Sequence, residues 1–362
     1  MSSASSTVRA RDLNIPFRGQ PGTLNAITDV SGVSVGHTTI IADTPHIIRT
    51  GVTAILPRGR DMTPTFAAWY SLNGNGEMTG TAWIEESGFL EGPIGLTNTN
   101  SVGIVRDTII AWQLERNLKR QDQFFWSLPV VAETYDGFLN DINGFHVKPE
   151  HVFAALDNAT SGTIAEGGVG GGTGMVCHEF KGGIGTSSRY MQTEHGDFTV
   201  GVLVQANYGK REYLTIAGVP VGQYLLDEPP FKTSSTIPPG SGSIIVVLAT
   251  DAPLLPHQLK RLTRRIPMGL AHLGSIATHS SGDIFIAFST ANPQADQPDA
   301  IAHLQMLPNG VMNPLFEATI DATEEAIVNA LVAGRPMTGI NGSSVPALPH
   351  HRVRDLLRQH GR

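Results

Sequence analysis

Short β-branched runs alternate with helical patterns along this chain. Asn25–Ile41 reads as strands broken at Gly32 and Gly36, and Thr50–Leu56 as a further strand. Ile104–Arg120 has helical spacing, with Val105, Ile109, Trp112 and Leu118 on one side and basic residues at its end. Pro149 suits the first turn of a short helix running to about Leu156. Phe198–Gln205 and Ser243–Ala249 read as strands, the second fully apolar after its serine. Pro256–Leu273 predicts one amphipathic helix, with Leu259, Leu262, Ile266 and Leu270 inward and Lys260, Arg261, Arg264 and Arg265 on a solvated face. Ser281–Ser289 predicts a strand, and Ala322–Ala333 a helix closed by Gly334 and Pro336. Strand groups separated by helices favour α/β layers over a helical bundle or a pure β-sandwich. No internal repeat is visible.

Composition narrows the function classes. A chain of 362 residues with 40% hydrophobic residues can bury a large core, so its 40 glycines and 23 prolines indicate tight turns rather than disorder. The formal charge of −7, mixed in sign along the chain, offers no basic field for nucleic acid. One cysteine, Cys177, excludes an intrachain disulfide framework and a thiolate metal cluster. No apolar run approaches the ~20 residues that span a bilayer, and no secretory signal is visible, so the expected location is cytoplasmic without membrane association.

Several familiar motifs are missing. The glycine cluster Gly162–Gly185 contains no phosphate-loop or dinucleotide fingerprint and is read as tight turns where backbones cross. The 13 histidines are scattered, with no His-Glu-x-x-His, and Cys177-His178 lacks partners at ligand spacing. Gly-x-Ser-x-Gly is absent, which removes the nucleophile elbow.

The junction at Ser243 is different. A Pro/Ser/Gly-rich stretch from Asp227 to Gly242 runs into this serine, and the serine opens a buried β-branched run. Such a junction is commonly only a linker. It also suits a self-processing site. Gly242, without a Cβ, can expose its carbonyl in a strained geometry to the Ser243 hydroxyl, and an N-to-O shift followed by hydrolysis frees a new N-terminus. The freed α-amine, with a reference pKa of roughly 7.7–8, can then accept the proton of its own residue's hydroxyl. Gly240–Ser241 competes as the cut site; Gly242–Ser243 is preferred because Ser243 abuts the rigid run.

Seven segments together carry a specific resemblance: Asn25–His37, Arg49–Pro57, Tyr70–Gly80, Val130–Gly137, Val204–Gly209, Gly242–Pro253 and Ser280–Ile284. Over nearly its whole length the chain resembles the DmpA/BapA family, the self-cleaving serine peptidases that include L-aminopeptidase/D-amino-acid esterases and β-peptidyl aminopeptidases. The resemblance implies a four-layer α/β/β/α sandwich, cut into a large segment (1–242) and a small one (243–362) that stay associated. It implies Ser243 as nucleophile and Asn207 as the side-chain amide that stabilises the oxyanion, although Asn207 before Tyr-Gly fits a plain turn equally well.

By the same resemblance Ser281 and Asp283 orient the nucleophile's amine. Asp283 stands where some members carry the longer Glu, which leaves its reach open, and on local sequence Ser-Ser-Gly-Asp reads as a turn. Glu133 matches the carboxylate that receives the substrate's ammonium, although alone it reads as a solvated loop acid. Tyr135 would share its side if the stretch is extended. The implied substrates are small peptides, amides or esters with a free N-terminal amine, beginning with β-, L- or D-amino acids. No metal or organic cofactor is implied, and the implied assembly is a homotetramer. Two alternatives stay open: an acyltransferase resembling ornithine acetyltransferases, and an unprocessed, non-enzymatic ligand-binding or assembly protein.

Overall fold

A computed structural model describes residues 8–117, 125–233, 242–297 and 300–362. Two sheets lie face to face. One has the order β1 (Ser34–Ala42), β2 (Ile48–Leu56), β5 (Ile94–Asn98), β6 (Val130–Thr134). The other runs β4 (Phe89–Leu90), β3 (Thr65–Ser71), β12 (Ile284–Ser289), β11 (Ser243–Thr250), β10 (Gly196–Asn207), β9 (Gly183–Thr193). Two short ribbons, β7 (Val176–Cys177) with β8 (Phe180–Lys181) and β13 (Met337–Thr338) with β14 (Ser344–Val345), flank them.

Helices cover both outer faces. Beyond the short α1 (Thr81–Ser87), α2 (Val102–Asn117) and α3 (Pro149–Asp157) lie on the four-stranded sheet. The other sheet is covered by α4 (Pro256–Thr263), α5 (Ile266–His272), α6 (Asn313–Ala333) and α7 (His350–Gln359). The layer order is therefore α/β/β/α.

Strand β11 shows why. Its alternate residues Ile244, Val246 and Leu248 pack among the helices, while Ile245, Val247 and Ala249 pack between the sheets. A strand covered on both faces reads as a continuous apolar run. The parallel pairs β5–β6 and β11–β12 need long crossovers, which α2 and the α4–α5 pair supply.

Some boundaries differ from the sequence expectation. Gly36 does not break a strand: β1 passes through it, and a Cβ there would stand 2.0 Å from Ala155 O of the covering helix α3. The residues before β1 form a 3-10 turn, Ile27–Asp29, not a strand. The helix predicted over Pro256–Leu273 is two helices, because Pro267 near the start of α5 lacks the N–H that would continue α4. Helix α6 begins at Asn313, well before Ala322, and β12 begins at Ile284 rather than Ser281. For α2, the expected final turn at 118–120 lies outside the described residues. The basic residues of α4 and its flank are engaged: Arg261 and Arg265 lie over the Phe316 ring and Lys260 pairs with Glu85 at 2.7 Å. Among the described residues no helix is long and apolar enough to cross a membrane.

Candidate active site

The antiparallel register of β10 and β11 places Asn207, the last residue of one strand, opposite Ser243, the first of the other. Gly242 makes that closeness possible, since a Cβ there would stand 2.1 Å from Asn207 O. The reason for glycine is thus close approach. Ser243 is only 6% exposed, and its Oγ accepts a hydrogen bond from Gly282 N at 3.1 Å. The competing Gly240–Ser241 bond lies outside the described residues.

The loop before β12 delivers the next two groups. Ser281 Oγ donates to Asp283 Oδ1 at 2.6 Å, and Ile244 N donates to the same oxygen at 3.2 Å. Asp283, though shorter than Glu, therefore reaches the main chain immediately after Ser243. Asn73 Nδ2 donates to Asp283 Oδ2 at 3.4 Å and to Thr278 O at 3.2 Å. Leu72 N donates to Asp283 O at 2.9 Å and Asn75 N to Ser281 O at 3.3 Å, so the 72–77 segment and the 281–283 loop are held together.

Glu133 comes from β6 in the other sheet and is 4% exposed. Its Oε1 accepts from Glu77 N at 3.0 Å, and its Oε2 accepts from the Thr99 hydroxyl. Gly76 lies between this carboxylate and the serine loop: a Cβ on it would meet Gly282 Cα at 3.1 Å and Glu133 Oε1 at 3.3 Å. Strand β6 ends at Thr134, before Tyr135. The Tyr135 carbonyl accepts from Asn207 Nδ2 at 3.0 Å, while its ring packs edge-on to Phe138 at 5.6 Å. Asn207 Oδ1 accepts from Val176 N at 2.8 Å. The amide of Asn207 is thus held at both ends, with one Nδ2 hydrogen left over among the described residues. Ser281 and Asp283 stand beside the Asn207–Ser243 pair and Glu133 faces the same loop across Gly76, whereas Tyr135 reaches the pair through its main-chain carbonyl and not through its ring. Among the described residues, the side chains grouped so that they can hold a metal are His46, Asp141 and His146, which are not part of this constellation.

Comparison with known proteins gives the family. The family model of peptidase family S58 matches residues 25–345. The chain belongs to peptidase family S58. It is 49% identical to the β-peptidyl aminopeptidase BapA of Sphingosinicella microcystinivorans, covering 98% of this chain and 93% of that protein. It also matches the solved L-aminopeptidase D-Ala-esterase/amidase of Ochrobactrum anthropi, described as a prototype for the serine aminopeptidases and a variant of the Ntn hydrolase fold. That match has a TM-score of 0.92 and 48% identity, over 98% of this chain and 99% of that one. A β-aminopeptidase from a Burkholderia species gives a TM-score of 0.90 and 49% identity, with 98% and 99% covered. The four-layer sandwich of this S58 peptidase is accordingly an Ntn-hydrolase fold.

Burial sets the electrostatics of the S58 site. It raises the pKa of Glu133, and the bonds from Thr99 and Glu77 N partly offset the rise. Burial also raises Asp283, offset by Ser281, Ile244 N and Asn73. Next to Tyr135, the wholly buried Asp136 is pushed up to about 7, with Thr50, Asn140 and Asn98 alongside. Each acid is short of cationic partners, and Glu133 in particular would be better satisfied by an ammonium.

Several contributors carry little or no signal of their own in the sequence. Asn73, Gly76 and Glu77 fall within the Tyr70–Gly80 segment, so a signal existed. Thr99 and Val176 carried none. Lys181 is fully buried, and its Nζ donates to the carbonyls of Gly172 at 3.1 Å, Met175 at 2.9 Å and Gly182 at 2.7 Å, bracing the turn that holds Asn207 Oδ1. The glycine cluster performs the close backbone crossings expected of it: a Cβ on Gly183 would lie 2.0 Å from Gly167 O.

Proposed function

We propose that this S58 peptidase cuts itself between Gly242 and Ser243 and then uses Ser243 as the nucleophile of an N-terminal-residue-releasing hydrolase. The enzyme is a serine aminopeptidase by family membership and by its match to the serine aminopeptidase fold. The observation that carries the finer reading is the pairing of Ser243 with Asn207 at a glycine that tolerates no Cβ.

In the precursor, Ser243 Oγ attacks the Gly242 carbonyl carbon. The C–N bond breaks as the ester forms, the nitrogen takes a proton to become the Ser243 amine, and water hydrolyses the ester to leave Gly242 as a carboxylate. Segments 1–242 and 243–362 stay together, because β10 and β11 share one sheet and one core. In the mature enzyme the Ser243 amine accepts the hydroxyl proton as Oγ attacks the substrate carbonyl. The free Nδ2 hydrogen of Asn207 supports the oxyanion. Ser281 and Asp283 orient the amine from beside Ile244 N, and the proton passes from the amine to the leaving group. Water then hydrolyses the acyl-serine.

Glu133 receives the substrate's ammonium in a charge-assisted hydrogen bond, and Tyr135 lines that side of the site. The substrates are small peptides, amides and esters with a free amine, beginning with β-amino acids or small L- or D-amino acids, as the names of its relatives support. Self-association into a homotetramer and a cytoplasmic location complete the proposal; light scattering and cell fractionation test them.

The test of the chemistry is Ser243→Ala. It should remain one polypeptide and release no amine from an aminoacyl-p-nitroanilide. A processed or active Ser243→Ala chain contradicts the proposal.

A further inference from the structure

Two loops meet away from the serine. The β1–β2 turn carries His46, and the segment following Tyr135 carries Asp141 and His146. Asp141 Oδ2 lies 3.2 Å from His46 Nδ1 and 3.0 Å from His146 Nε2, and the three atoms all fall within 4.8 Å of one another. Two imidazole nitrogens thus converge on a single carboxylate oxygen.

We propose that His46, Asp141 and His146 form a binding site for a divalent transition metal of the zinc class. A tetrahedral ion with bonds of about 2.0–2.2 Å separates neighbouring ligand atoms by roughly 3.3 Å, and both measured separations approach that edge. Two nitrogens and one oxygen suit Zn2+ and its late first-row neighbours, whereas Mg2+ and Ca2+ prefer all-oxygen sets. One side is open: the His46 side chain is 58% exposed and Asp141 33%, which leaves room for water as a fourth ligand.

The ligands stand on fixed backbone. Asp141 N donates to Ile47 O at 3.1 Å, so the two loops are already joined beside the cluster. Asn140 Oδ1 accepts from Arg49 N at 2.9 Å, and Asn140 Nδ2 donates to Asp136 at 3.0 Å. Gly144 clears the space, since a Cβ there would lie 2.1 Å from His146 Nε2. The bound ion staples the β1–β2 turn to the segment that begins at Tyr135, a structural role separate from the chemistry at Ser243.

The experiment uses mature enzyme stripped with a chelator and titrated with ZnCl2 by calorimetry, with thermal melting in parallel. The native enzyme should bind one Zn2+ per chain at this site and melt at a higher temperature when loaded. His46→Ala and Asp141→Asn should each weaken that binding by about tenfold or more and abolish the thermal gain. His46 is exposed, so its removal leaves the core intact. No binding by the native enzyme overturns the proposal, as does binding of equal affinity in both variants.

Discussion

Asn207 and Ser243 face each other across the ends of β10 and β11, so the backbone that positions the nucleophile also positions the amide beside it. The Asn207 side chain is held by Val176 N and the Tyr135 carbonyl, which among the described residues leaves it one free hydrogen. Asn207→Ala removes that donor while leaving Ser243 on its strand. Turnover should fall by about 10²–10³, an oxyanion contribution of roughly 2.7–4 kcal/mol, with KM little changed. Steady-state kinetics on an aminoacyl-p-nitroanilide check this; a large rise in KM with unchanged kcat would count against the role.

Glu133→Gln keeps the shape and the acceptor for Glu77 N but loses the charge. Hydrolysis of free-amine amides should drop by about tenfold or more, the value of a charge-assisted bond of roughly 1.5–3 kcal/mol. N-acylated esters should be far less affected. Equal losses on the two substrate classes would argue against ammonium recognition.

Asp136 gives stability a pH dependence. Its folded pKa of about 7 stands above the ordinary 3.8, so between those values the unfolded chain ionises while the folded one holds its proton. Stability contributed below pH 4 is therefore lost as pH rises to about 7. Asp136→Asn does not titrate and keeps an acceptor for Asn140. Relative to the native chain, its thermal stability should improve from pH 4 to pH 8, by on the order of 3–4 kcal/mol at the upper end. Melting curves of both proteins across that range read the difference, and a constant gap contradicts the assignment.

Lys181→Met removes the Nζ donor from three buried carbonyls, and Gly172 O and Met175 O keep only a backbone N–H from Met175 and Gly182. A loss of on the order of 3 kcal/mol of stability should appear as a lower melting temperature. Because Met175 precedes the residue that holds Asn207 Oδ1, kcat should fall with KM nearly unchanged. A variant of native stability and turnover would remove Lys181 from the supporting framework.

The continuous apolar run from Ile244 made β11 readable, because a strand covered on both faces needs apolar residues on both. At Gly36 the residue type marks a close approach by a helix carbonyl, and a glycine that breaks a strand looks identical in sequence. Helix α6 starts earlier than its apolar pattern suggests: Pro314 suits a first turn as Pro149 does, while the β-branched Thr319 and Ile320 lower the local propensity that the tertiary core overrides. The site residues were legible through short segments shared with a known family, not through spacing. The hold of Val176 on Asn207 is a backbone contact and leaves no side-chain signature. His46 and His146 belong to different loops, so only the folded chain brings them to one carboxylate.

Intact-mass spectrometry of active, wild-type enzyme tests the central claim most directly. The account predicts two polypeptides, the smaller spanning 243–362 and beginning with Ser243. Fully active material consisting of one uncut chain, or a small fragment beginning at any other residue, would contradict it.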